Sequence, residues 1–99
     1  MNKKYYSEYV RHAIRFYSRH LENPTFNSIA AQKNWIVCDT VLNHYFPRYK
    51  EVLISVYKPF DTMGDNVYQA SRQYNIPQDN IWTMMDELER LIAVERGLL

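Results

Sequence analysis

Three consecutive residues, Asn75-Ile76-Pro77, constrain the fold of this chain more than any other stretch. Apolar residues at helical spacing precede them at Val67, Ala70 and Tyr74. The spacing resumes after them at Ile81, Met84, Met85, Leu88, Leu91 and Ile92 and extends to Ala93 and Val94. Asn tolerates the left-handed conformation that ends a helix, Ile can plug the space between two helices, and Pro starts a helix cleanly because its missing amide hydrogen is not needed there. The break therefore predicts two helices held at a defined angle. Asp65 or Asn66 is expected to cap the first. The second opens on Gln78, Asp79 and Asn80, with Asp79 well placed against the positive helix end. Arg96-Gly97 supplies a basic last turn and a glycine stop.

The rest of the chain fits the same pattern. Ninety-nine residues make one domain with one core, and two glycines with four prolines leave little room for loops, which favours helices joined by short turns. A first helix is predicted from about Lys4 to Leu21, with Tyr6, Tyr9, Val10, Ala13, Tyr17 and Leu21 facing the core, and Asn23-Pro24-Thr25 ends it. A second covers about Asn27 to Tyr45, with Ile29, Trp35, Cys38, Val41, Leu42 and Tyr45 inward. The β-branched run around Trp35-Ile36-Val37 would suit a strand on propensity, but no second strand-like segment exists to pair with it. A third helix starts at Pro47 and runs to about Tyr57, burying Val52, Leu53, Val56 and Tyr57. Lys58 to Gly64 is the longest loop, with Phe60 and Met63 packed down as a lid. The expectation is an all-α fold of about five helices, in which residues 46–99 form a trihelical unit buttressed by a helical pair in residues 1–45.

Several function classes find no support in the residues. No apolar run approaches the roughly 18 residues of a membrane span, and Met1 to Tyr6 is not followed by a signal-peptide core. A lone Cys38 agrees with a reducing compartment, so a cytoplasmic location is expected. There is no Gly-rich phosphate loop, no Cys-x-x-Cys and no His-Glu-x-x-His. His12, His20 and His44 have no metal-ligand spacing with Cys38. No catalysis, cofactor or metal is therefore expected. The tyrosines of the first helix read as core rather than as a base-stacking platform. Asp86, Glu87 and Glu89 read as a solvated face.

Charge is distributed unevenly. The chain carries a net +1, yet residues 1–21 hold Lys3, Lys4, Arg11, Arg15 and Arg19 against Glu8, giving +4, while residues 59–99 hold three Arg against seven acids, giving −4. Lys4, Glu8, Arg11, Arg15 and Arg19 recur at steps of three or four, so the positive residues Lys4, Arg11, Arg15 and Arg19 share a helix surface and are the phosphate-contact candidates, together with Arg72. Set against the helix-turn-helix pattern, Ala70 and Ser71 take the small positions, Tyr74 the apolar position before the turn, Asn75 the usual glycine, and Ile76, Ile81 and Met84 the buried positions after it. An αα-hairpin with no nucleic-acid role is the alternative.

A family resemblance extends upstream of the break. Phe46-Pro47-Arg48-Tyr49-Lys50-Glu51-Val52-Leu53 through Tyr57, then Val67 to Tyr74 and Asn75 to Trp82, resembles the fourth conserved region of bacterial sigma-70 factors. Nearly the whole chain is also similar to short uncharacterised proteins of Gram-positive phages and mobile elements with an Arg-Gly-Leu-type tail. The resemblance implies recognition of duplex DNA through the last helix, with RNA polymerase as a further partner. The candidate base contacts are Gln78, Asn80, Trp82 and Thr83, of which Gln78 and Asn80 suit adenine edges and Thr83 a thymine methyl group. The sigma pattern has arginines on this helix, where this chain has Asp79, Asp86, Glu87 and Glu89, so any grip on phosphate has to come from Arg72 and the first helix. Trp82 among carboxylates also suits a protein interface or simple packing. The competing reading is thus a protein interaction module on the same scaffold. A single unit binds DNA weakly, so a homodimer or a partner such as RNA polymerase is expected, with Leu98-Leu99 as a candidate dimer contact.

Overall fold

A computed structural model describes residues 5–22, 24–57 and 62–99. The described residues form five helices and no strand: α1 (Ser7–Arg19), α2 (Ile29–Tyr45), α3 (Lys50–Val56), α4 (Met63–Tyr74) and α5 (Gln78–Glu95). The all-α expectation holds, including a helix through the β-branched run of α2. All five helices feed one core, whose largest fully buried side chains include Tyr17, Tyr57, Leu42, Leu53, Ile81, Met85, Leu88 and Ile92. None of these helices is long and apolar enough to cross a membrane.

The helix boundaries follow from local hydrogen bonding. Ser28 caps α2, its side chain accepting from the Ala31 amide at 3.1 Å. α4 is capped by Thr62, which accepts from the Asp65 amide at 3.2 Å, rather than by Asp65 or Asn66. Asn66 instead donates its side-chain amide to the Val56 carbonyl at 2.9 Å, tying the end of α3 to α4. Pro47 does not begin α3: residues 47–49 form a turn closed by the Tyr49 amide on the Phe46 carbonyl at 3.1 Å, and the helix starts at Lys50. Met63 packs against the core as expected, but as the first residue of α4, while Phe60 lies outside the described residues.

The core stripes are turned relative to the predicted ones. On α1 and at the residue before it the buried apolar set is Tyr6, Val10, Ala13, Ile14 and Tyr17, so Ile14 joins the core. Tyr9 moves to its flank, 44% exposed, and Leu21 lies beyond the helix end. Ile29 and Tyr45 occupy the two ends of α2 and are 72% and 52% exposed. Trp35 is partly buried and donates its indole N–H to the His20 carbonyl at 2.9 Å, closing the end of α1 against α2.

Both ends of the C-terminal pair are fixed by left-handed residues. Asn75 adopts φ 55°, ψ 50°, and the following Ile76 amide reaches back to the Ser71 carbonyl at 3.1 Å while its side chain packs on the core. After α5, Gly97 has φ 75°. Its amide bonds the Val94 carbonyl at 3.1 Å and the Leu98 amide bonds the Ala93 carbonyl at 2.8 Å, which seals the helix. Replacing Asn75 by valine, whose branched Cβ resists this conformation, is expected to cost about 1–2 kcal/mol, whereas Asn75→Gly stays near wild type. Urea unfolding midpoints of the two variants check this.

Candidate nucleic-acid interface

The first two turns of α5 carry the candidate base contacts. Gln78, Asn80 and Thr83 are exposed, and the side chains of Gln78 and Asn80 hydrogen-bond to none of the described residues. Thr83 donates its hydroxyl back to the Asp79 carbonyl at 2.9 Å. Trp82 stands apart from this edge: it is partly buried and packed against the core, which supports its structural alternative. Beside the edge, Tyr49, Ile76, Asn80, Thr83 and Met84 line a shallow groove of about 280 Å³ where the turn before α3 meets the start of α5.

The acidic residues of α5 divide into two groups. Asp79, Asp86 and Glu87 are exposed. Glu87 pairs with Arg90 one turn on, at 2.6 Å and 3.2 Å, and this hydrogen bonding holds its carboxyl below the usual glutamate range. Glu89 does not belong to that solvated face. It is 3% exposed, and its Oε2 accepts from Arg11 Nε at 3.0 Å and from the Tyr57 hydroxyl at 2.7 Å. Burial raises the pKa of the Tyr57 hydroxyl well above its usual value, and the Glu89 charge raises it further, so Tyr57 stays protonated and remains a donor. The pattern signal for this burial lay in α5 itself: Glu89 stands four residues after Met85 and three before Ile92, inside the apolar stripe.

The ion pair takes Arg11 out of the phosphate-contact stripe. Its side chain is 21% exposed and its guanidinium is spent on Glu89, so it is a packing residue of the α1 and α5 contact. Arg15 is half-buried and Arg19 exposed, while Lys4 lies outside the described residues. Arg72 is exposed on α4, with its guanidinium 5.8 Å from the Tyr68 ring centroid and 3.1 Å from the Tyr68 hydroxyl. Arg48, which was not among the candidates, is exposed next to the groove residue Tyr49.

Contacts along α1 show how these cations lie relative to α5. Tyr5 donates to the Leu98 carbonyl, Tyr9 meets the Arg96 guanidinium at 3.4 Å, and Arg11 meets Glu89, so α1 and α5 run in opposite senses. From Arg11 onward α1 therefore heads toward the end of the molecule where α5 begins. At that end Tyr17 donates to Asp39 at 2.7 Å, and Lys50 donates to Asn43 at 2.9 Å while lying 5.6 Å from the Tyr17 ring centroid. These contacts bring the second half of α1 beside the start of α3.

The other clusters are structural. Arg96 Nε donates to Asn34 Oδ1 at 2.6 Å, and Asn34 donates to Tyr9 at 3.1 Å, locking the end of α5 to α1 and α2. Cys38 is fully buried, and burial pushes its thiol pKa up to about 12. Among the described residues no group of three or more His, Cys, Asp and Glu stands close enough to hold a metal ion. Leu98 is partly buried against the core and its backbone groups are engaged, while Leu99 is exposed.

No protein-family model, curated protein or solved structure matches the chain.

Removing one partner of the buried pair strands the other charge. Arg11→Ala is expected to destabilise the domain by about 3 kcal/mol, and Arg11→Met combined with Glu89→Leu and Tyr57→Phe, which leaves no polar group of the cluster unpaired, to recover most of that loss. A double-mutant cycle of unfolding free energies measures the coupling; additive effects would show that the pair does not act as a unit.

Proposed function

We propose that residues 46–99 act as a helix-turn-helix unit on duplex DNA, and that the chain is a small, non-catalytic transcription regulator of phage or mobile-element type. The observation that carries this reading is the Asn75-Ile76-Pro77 break, which fixes α5 against α4 and leaves Gln78, Asn80 and Thr83 exposed on its first two turns. Those side chains match the hydrogen-bonding and methyl pattern of A·T base pairs in the major groove. Arg72 is exposed on α4, Arg48 is exposed next to the groove residue Tyr49, and α1 carries the exposed Arg19 and the half-buried Arg15. They replace Arg11 as the source of phosphate contacts. The sigma-70-like pattern from Phe46 to Trp82 supports the same reading and points to RNA polymerase as a further partner in a cytoplasmic setting. A homodimer would raise the weak affinity of one unit.

A specific observation favours a second reading. With Arg11 diverted to Glu89, the outward face of α5 presents Asp79, Asp86 and the Glu87–Arg90 pair, which suits a basic protein partner better than phosphate. Binding to random-sequence duplex separates the two. For a DNA-binding unit, affinity falls steeply with salt, and Arg19→Ala and Arg72→Ala each reduce the log–log salt slope by about one. Reversing Asp79 and Asp86 to lysine then tightens binding. Absence of duplex binding at low salt contradicts the regulator and leaves the interaction module.

A further inference from the structure

We propose that the cleft between α1 and the start of α2 binds a small aromatic carboxylate, with the ring on Phe16 and Phe26 and the carboxylate at Tyr9 and Arg96. The cleft has a volume of about 680 Å³, the size of a small-molecule site. It lies between one face of α1 and the segment from Thr25 into the first turns of α2, where the side chains of Ala13, Ala30 and Ala31 are short and leave room. Toward one end Phe16 and Phe26 are half-buried, with ring centroids 6.4 Å apart and planes within 28° of each other, and Phe26 meets Trp35 edge-on at 6.2 Å. They give a flat ligand ring an aromatic surface already fixed by its own packing.

Charge decides what the other end takes. Among the described residues that line the cleft none is Asp or Glu, so none of them repels an anion or answers a cation. Arg96, half-buried just after α5, reaches this end: its Nε donates to Asn34 Oδ1 at 2.6 Å and its Nη2 meets the Tyr9 hydroxyl at 3.4 Å, and both partners line the cleft. Both are neutral, and Arg96 has no ion pair with a carboxylate among the described residues. A half-buried guanidinium with only neutral partners keeps its charge available to an anion. Tyr9 can donate to the same anion. Its hydroxyl gives its proton to Asn34 Oδ1 over a long 3.3 Å, and that oxygen already accepts from Arg96, so the proton can turn to a ligand without stranding Asn34. Hydrogen bonds with Asn34 and Arg96 lower the Tyr9 pKa below its usual value, which strengthens the hydroxyl as a donor. Tyr9 and Phe16 lie two helical turns apart on α1, about 10 Å, so the ligand that spans them is a bicyclic ring with a short acid chain.

The test titrates the full chain with 2-naphthylacetate and with its neutral amide, 2-naphthylacetamide, by calorimetry and by amide chemical-shift mapping. Wild type is expected to bind the acid about tenfold more tightly than the amide, the margin of one charge-assisted hydrogen bond over a neutral one. The shifts cluster at Tyr9, Phe16, Phe26 and Asn34 and leave the start of α5 unmoved. Arg96→Gln, which keeps a donor for Asn34 and removes the charge, brings the acid-to-amide ratio to about one. Circular dichroism and the amide's own shifts in the cleft confirm that this variant keeps the fold. Phe26→Ala, outside the helices, weakens acid and amide alike. Equal affinity of wild type for acid and amide, a ratio unchanged in Arg96→Gln, or no shifts in the cleft at millimolar acid overturns the inference. None of these outcomes depends on DNA binding.

Discussion

A carboxylate enclosed by a hydrophobic core must be answered by a cation and by hydrogen-bond donors, and Glu89 is answered by Arg11 and Tyr57. The three residues come from α5, α1 and the end of α3, so this one interaction ties these three helices together. Apolar residues of similar volume can match or exceed the stability of such a pair. What the pair adds is register: only one rotation of α1 brings the Arg11 guanidinium to Glu89 and the Ile14 side chain into the core. Tyr9 then lies on the flank, where it meets Asn34 and Arg96.

That register also sorts the charges. Of the positive residues along α1, Arg11 is drawn inward, leaving Arg15 and Arg19 toward the end where α5 starts. Of the acidic residues on α5, Glu89 is drawn inward, and Asp79, Asp86 and Glu87 stay in solvent. Gln78, Asn80 and Thr83 are uncharged and exposed, with the exposed carboxylate of Asp79 among them.

The parts of the fold legible in the sequence were those encoded locally. Helical periodicity found all five helices, and the Asn75 and Gly97 stops were readable because few residues tolerate positive φ. The Asp65 or Asn66 cap was misplaced because Thr62, three residues before Asp65, satisfies the same amide. Pro47 was read as a helix start although the chain spends one more turn reaching Lys50. The Arg11 and Glu89 pair joins residues 78 positions apart, and no local pattern specifies such a partner. Only the intrusion of Glu89 into an apolar stripe hinted at it. Of the candidate base contacts, Gln78, Asn80 and Thr83 are exposed and Trp82 is packed on the core.

The most direct test of the account is an amide chemical-shift map of the full chain titrated with a random-sequence duplex at low salt. The account predicts that the largest shifts cluster at Gln78, Asn80 and Thr83, with further changes at Arg19, Arg48 and Arg72 and little at Arg11. Shifts confined to the α5 outer face around Asp86 and Glu87, or the absence of any, would contradict it.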